Sequence, residues 1–192
     1  ACKPSCSAPT MNALQPSIIH ERHHLPRAYS ARGSRAYRFT YSTMRLAAAT
    51  GFPLLADPLS GARFRPAAGA QVVDGYDLFL RDAYVRERLE PDLVLRVGAS
   101  PTSSALLGWL EHHLGVRHVV VDGGGRWKDH AAVATDYVRA DAADTLRILA
   151  GNAARGTDAA WTWAWGAAAA VTRATVESAA AGEPWEGRVL AA

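Results

Sequence analysis

The sequence predicts an open, doubly wound α/β layer: a parallel sheet with helices on both faces. Three observations carry that expectation. Short apolar runs bounded by turn residues recur at 53–57, 92–98 and 117–122, the pattern of strands buried on both faces. The segments between them place apolar residues at helical spacing. The two kinds of segment alternate through short connections, which is how βαβ units are written in sequence.

Taken in chain order, residues 1–43 show no helical or strand periodicity and read as a basic, poorly ordered head. Met44 to Thr50 reads as the last turns of a helix, ended by Gly51. Pro53 to Asp57 is a buried strand, and Pro58 to Gly69 is a loop punctuated by Pro58, Gly61 and Pro66. Asp74 then caps a helix with Asp77 in the capping-box position. Tyr76, Phe79, Leu80, Ala83 and Tyr84 form its inner face, and Pro91 closes it after Leu89.

Asp92 to Gly98 is the next strand. Ser100 as N-cap and Pro101 at the first helical position predict the start of another helix. That helix turns Ala105, Leu106, Trp109 and Leu110 inward and ends at Gly115. Arg117 to Asp122 and Thr135 to Ala140 read as two further strands. Asp141 opens a helix to Ala150, an alanine-rich helix runs from Asp158 to Ala181, and Pro184 begins one more. The expected division is a head over 1–43, an α/β domain over 44–182, and a short remainder over 183–192.

Composition narrows the function classes. The 192 residues carry a net charge of +3 and are 49% hydrophobic, with no apolar run long enough to cross a bilayer. The start lacks the layout of a signal peptide, so the expected location is cytoplasmic. Cys2 and Cys6 both lie in the first ten residues, so no disulfide can staple the body. With His20, His23 and His24 they fit no standard zinc module.

Residues 1–45 hold seven cations against Glu21, a charge of +6, which leaves −3 for the rest. Tyr29, Tyr37, Phe39 and Tyr41 lie among those cations, which suits base stacking. No nucleic-acid motif accompanies them, so nucleic-acid binding through the head ranks as the third reading. Arginine outnumbers lysine 19 to 2, a mark of coding bias more than of a selected basic patch.

Two turns could carry chemistry. Gly98 to Ser104 joins a strand's carboxyl end to a helix start, where open α/β sheets bind ligands. Asp122-Gly-Gly-Gly-Arg126-Trp127-Lys128-Asp129 lets backbone approach a ligand closely and offers cations to an anion. Alone, each fits an ordinary surface turn as well. No G-x-G-x-x-G, Walker or G-x-S-x-G pattern occurs. His113 is expected on the core side of its helix and His112 toward water, and Trp161 and Trp165 share a packing face.

Four segments taken together resemble one family. LAAATGFPLLADPLSGARF (46–64), YDLFLR (76–81), DLVLRVGASPTSSALLGWLE (92–111) and VVVDGGGRWKD (119–129) are similar to 2-succinyl-5-enolpyruvyl-6-hydroxy-3-cyclohexene-1-carboxylate synthase of menaquinone biosynthesis. EGRVL (186–190) resembles the lead into that family's third domain. The resemblance covers residues 44–192 and identifies the central domain of a thiamine-diphosphate enzyme. Residues 1–43 do not resemble the family's segment there, which out-of-frame translation would explain.

The resemblance implies decarboxylation of 2-oxoglutarate on thiamine diphosphate, held by magnesium or manganese, and addition of the succinyl-semialdehyde unit to isochorismate. It implies a homo-oligomer, with the first domain supplying the activating glutamate and the third a G-D-G motif. No G-D-G triplet occurs here, so this chain alone is expected to bind no cofactor and to be inactive. Residues 183–192 would then begin a truncated third domain.

The implied substrate contacts are Thr102, Ser103, Ser104 and Arg126. Where the family usually carries lysine after P-T-S, this chain has Ser104. A stand-alone small-molecule binding or regulatory domain is the second reading.

Overall fold

The computed structural model describes residues 17–22, 35–64, 69–125, 129–153 and 156–181; for 17–22, 35–36 and 64 it describes the backbone alone. These residues form an α/β layer around a parallel sheet. Its strands are β1 (Ser17–Arg22), β2 (Leu54–Ala56), β3 (Val72–Val73), β4 (Leu93–Gly98), β5 (Arg117–Val121) and β6 (Asp136–Val138). Their order is β3-β2-β1-β4-β5-β6, every pair parallel. The chain order reverses between β1 and β4, the topological switch point at which such sheets open a crevice beyond their carboxyl ends.

Alternation along the strands feeds two cores. Leu54, Ala56, Leu95, Val97 and Val121 join one, with helices α1 (Arg35–Thr50) and α5 (Ala142–Asn152) laid over them. Leu55, Val73 and Val94 join the other. That face is covered by α2 (Tyr76–Phe79), α3 (Ala83–Arg88), α4 (Ser104–His112) and α6 (Ala159–Ala180). Its centre is aromatic. Trp165 meets Trp109, Phe79 and Trp161 edge to face, with centroids 5.9, 5.8 and 5.8 Å apart, the favoured geometry for ring quadrupoles.

Helices α5 and α6 begin where the sequence predicts, and Asp141 and Asp158 cap them, each accepting a backbone N–H of the first turn. Trp161 and Trp165 pack inward as expected, while Trp163 is exposed. His113 is half-buried against Trp109, and His112 faces solvent.

Five expectations need correction. A head without helix or strand to residue 43 misses two elements. Ser17–Arg22 is a strand at the middle of the sheet, with Ile19 in register with both Leu54 and Leu95. Helix α1 begins at Arg35, nine residues before Met44. The span 69–91 is not one helix from Asp74. A two-residue strand precedes it, and the helix breaks between Phe79 and Ala83 into α2 and α3. Gly75, at φ 38°, holds the cap position, Asp82 caps α3, and Asp74 instead meets Arg173 at 3.0 Å. Tyr84 is therefore exposed rather than inward. The cap of α4 is Ser103, not Ser100, because Pro101 and Thr102 remain in the loop. The expected helix from Pro184, the Cys2/Cys6 pair and the EGRVL segment lie outside the described residues.

Candidate functional site at the carboxyl edge of the sheet

The strands β2, β4, β5 and β6 all end on one edge, and each delivers a turn there. After β2 the chain reads Asp57-Pro58-Leu59-Ser60-Gly61. Asp57 Oδ1 accepts the Leu59 N–H at 3.0 Å, and Ser60 Oγ accepts the Ala62 N–H at 3.0 Å. These are two successive side-chain-to-backbone turns, which Asp and Ser can build and apolar residues cannot. Arg63 closes the loop by donating from Nε to the Ala56 carbonyl at 2.9 Å.

The turn after β4 is held from outside. Asp57 is fully buried, and its Oδ2 accepts both the Thr102 N–H at 3.0 Å and the Thr102 hydroxyl at 2.8 Å. Ser103 accepts the Leu106 N–H at 3.1 Å and donates its hydroxyl to Asp77 Oδ1 at 2.5 Å. That bond, with help from Arg81, holds the Asp77 carboxyl below the usual carboxylate range. Burial, and then the nearby Asp57 charge, push the Tyr76 hydroxyl up. Thr102 and Ser103 are thus committed to the shape of the turn. Ser104 is exposed, and among the described residues its hydroxyl makes no hydrogen bond.

The turn after β5 is built differently. Asp122 Oδ2 accepts the Gly124 N–H at 3.1 Å. Gly123 presses on the β6–α5 connection, where an added Cβ would stand 3.1 Å from the Ala140 carbonyl oxygen. Gly125, at φ 64°, lies under Arg139. The glycines therefore admit the protein's own chain, which is the structural reason for their run. The far stem of this turn is Asp129, fully buried with Arg96 Nη2 at 2.8 Å. Burial raises the Asp129 carboxyl, but the Ala134 N–H and the Arg96 guanidinium outweigh it and hold it below the usual range.

Of the four predicted contacts, Thr102, Ser103 and Ser104 come together at the end of β4; Arg126 lies outside the described residues. Sequence reasoning missed Asp57, Asp77 and Arg139 at this edge. The available signal was position: a charged residue directly after an apolar strand stands where ligands bind. Among the described residues no group of three or more His, Cys, Asp or Glu could hold a metal ion, and no helix is long and apolar enough to cross a membrane.

No family model matches the chain. Three similar curated proteins all carry the name 2-succinyl-5-enolpyruvyl-6-hydroxy-3-cyclohexene-1-carboxylate synthase. The one from Halobacterium salinarum is 51% identical over 118 residues, 61% of this chain and 19% of its own. The one from Listeria innocua is 43% identical over 121 residues, 62% of this chain and 21% of its own. The one from Geobacillus thermodenitrificans is 37% identical over 154 residues, 79% of this chain and 26% of its own. Over most of its length the chain is homologous to the 2-succinyl-5-enolpyruvyl-6-hydroxy-3-cyclohexene-1-carboxylate synthases, as a segment about a fifth to a quarter as long as those proteins.

Proposed function

We propose that this chain is the middle domain of such a synthase and that it lines the substrate site, leaving the cofactor to other parts of the enzyme. Identity of 37–51% to proteins of that name is the observation that carries the reading. In the whole enzyme the reaction joins the decarboxylated 2-oxoglutarate unit to isochorismate on thiamine diphosphate with magnesium or manganese, in a cytoplasmic homo-oligomer. The cofactor would supply the electron sink for decarboxylation. We assign that group to other parts of the enzyme because the 192 residues contain no G-D-G triplet.

The contribution of this domain is a wall of fixed polar groups. Asp57 and Asp77 set the turn after β4 so that Ser104 faces out from the first residue of α4. A serine there donates one hydrogen bond and no charge. It forgoes the roughly 1.5–3 kcal/mol of charge-assisted bonding that a lysine would offer a carboxylate.

Titration calorimetry of the 192-residue chain with thiamine diphosphate and magnesium tests the division of labour. No binding heat is expected, and micromolar magnesium-dependent binding would overturn it. The second reading, a stand-alone small-molecule domain, is favoured by the switch point between β1 and β4. A thermal-shift screen separates the two. Stabilisation by a nucleotide but by no acidic metabolite would favour the second reading.

A further inference from the structure

We infer that Arg139, folded over the glycine turn after β5, is a carboxylate-binding residue at the carboxyl edge of the sheet. The side chain is placed by packing rather than by pairing. An ideal Cβ on Gly125 would stand 2.8 Å from Arg139 Nε and 2.9 Å from Cζ. The guanidinium therefore lies against bare backbone, and Gly125 has the left-handed φ that suits glycine.

Six other described arginines are paired internally. Arg38, Arg81, Arg96, Arg117, Arg147 and Arg173 each face a carboxylate within 3.5 Å. Arg139 is exposed, and among the described residues it donates no hydrogen bond and forms no ion pair. A guanidinium lying against the turn with its donors unspent is suited to bidentate recognition of a planar anion.

The surroundings select the class of anion. A phosphate site gathers several free backbone N–H groups. Here the Gly124 N–H is already taken by Asp122, whose carboxylate stands beside the turn. Position selects the size. Arg139 follows β6 and Ser104 follows the β4 turn, and the strands β4 and β6 stand two spacings, about 10 Å, apart. A small dicarboxylate or a carboxylate with a hydroxyl at its far end suits that gap. The inference deepens the proposed function, on which it rests for the kind of ligand: Arg139 would supply the cation that Ser104 does not.

The test follows the amide resonances of Gly123, Gly124 and Gly125 in the full chain during titration with succinate, with inorganic phosphate as a parallel arm. Saturable shifts with succinate are expected. They should weaken at least about tenfold in Arg139→Gln, the loss of one charge-assisted contact. Arg86→Gln, remote on α3, should leave them unchanged. Gly125→Ala, which drives a Cβ into the guanidinium, should reproduce the loss. Absence of shifts, equal shifts in Arg139→Gln, or phosphate binding as tight as succinate would each overturn the inference. The domain assignment is judged separately by thiamine diphosphate calorimetry. A chain that binds neither succinate nor the cofactor loses the Arg139 site and keeps its proposed place in the synthase.

Discussion

The turns after β4 and β5 share an edge and are stabilised by opposite means. The β4 turn is wired through side chains: Thr102 and Ser103 give their hydroxyls to Asp57 and Asp77, two carboxylates from other elements. The β5 turn has glycines where the β4 turn has hydroxyls. It is fixed by close packing on Ala140 and Arg139 and by the Arg96–Asp129 pair at its stem. The difference teaches where ligand-binding capacity remains. Wiring consumes donors, so the β4 turn offers little beyond Ser104. Packing consumes volume, so the β5 region keeps a cation with its donors unspent.

The stem of the β5 turn is the place to break the comparison hardest. Arg96 and Asp129 are both fully buried. Arg96→Met leaves the Asp129 charge without that partner in the interior, and about 3–5 kcal/mol of stability should be lost in urea unfolding. Adding Asp129→Leu should recover much of that loss, because a buried pair replaced whole by apolar groups is close to neutral. A single variant as stable as the parent would show that the pair does not anchor the stem.

The β4 turn should break less. Asp57→Ala removes the acceptor of the Leu59 N–H, the Thr102 N–H and the Thr102 hydroxyl. Loss of about 2–3 kcal/mol is expected, with amide exchange faster at Thr102 and Leu59 and unchanged at Gly124. Faster exchange at Gly124 as well would show that the two turns are one unit.

These turns were legible in the sequence to different depths, and so was the fold. The two-face burial of β2, β4 and β5 is written in local apolar runs, helix α5 in its start at Asp141 and α6 in its alanine-rich run, so those were readable. Strand β1 was not. SIIHER has two adjacent apolar residues and no alternation, and its identity comes from backbone pairing with strands distant in sequence. The start of α1 was hidden for another reason. Its buried side before Met44 includes Thr40, Ser42 and Thr43. Thr43 returns its hydroxyl to the Phe39 carbonyl of its own helix. A helix that satisfies its buried hydroxyls in this way does not look apolar in sequence. Site residues followed the same rule. Thr102 and Ser103 were visible as a turn motif, but their commitment to Asp57 and Asp77 is tertiary and spans 45 and 26 residues.

Acid should weaken both turns. The Asp77 and Asp129 carboxyls are held below the usual range in the folded chain. A depressed folded pKa contributes stability that is full above the unfolded value, near 4, and is lost as pH falls toward the folded one. Stability measured in urea should therefore be flat from about pH 7 to 5 and fall below about pH 4. Asp77→Asn should remove part of that fall while leaving the part due to Asp129. An acid limb identical in the variant would mean that Asp77 is no better held folded than unfolded.

The smallest effect on stability should come from Ser104→Lys, which sharpens the comparison instead of breaking it. Ser104 is exposed and opens α4 without capping it, since Ser103 holds the cap. A substitution there should change unfolding free energy by no more than about 0.5 kcal/mol. The added cation sits in the first turn of a helix, where positive charge is mildly unfavourable, and this sets the sign as a slight loss. Binding should move the other way. A second cation across the edge from Arg139 would let a dicarboxylate pair at both ends, so succinate affinity should rise while acetate affinity stays near the parent value. Equal gains for both acids would mean that the introduced cation and Arg139 act separately, and the two turns would then share an edge without sharing a ligand.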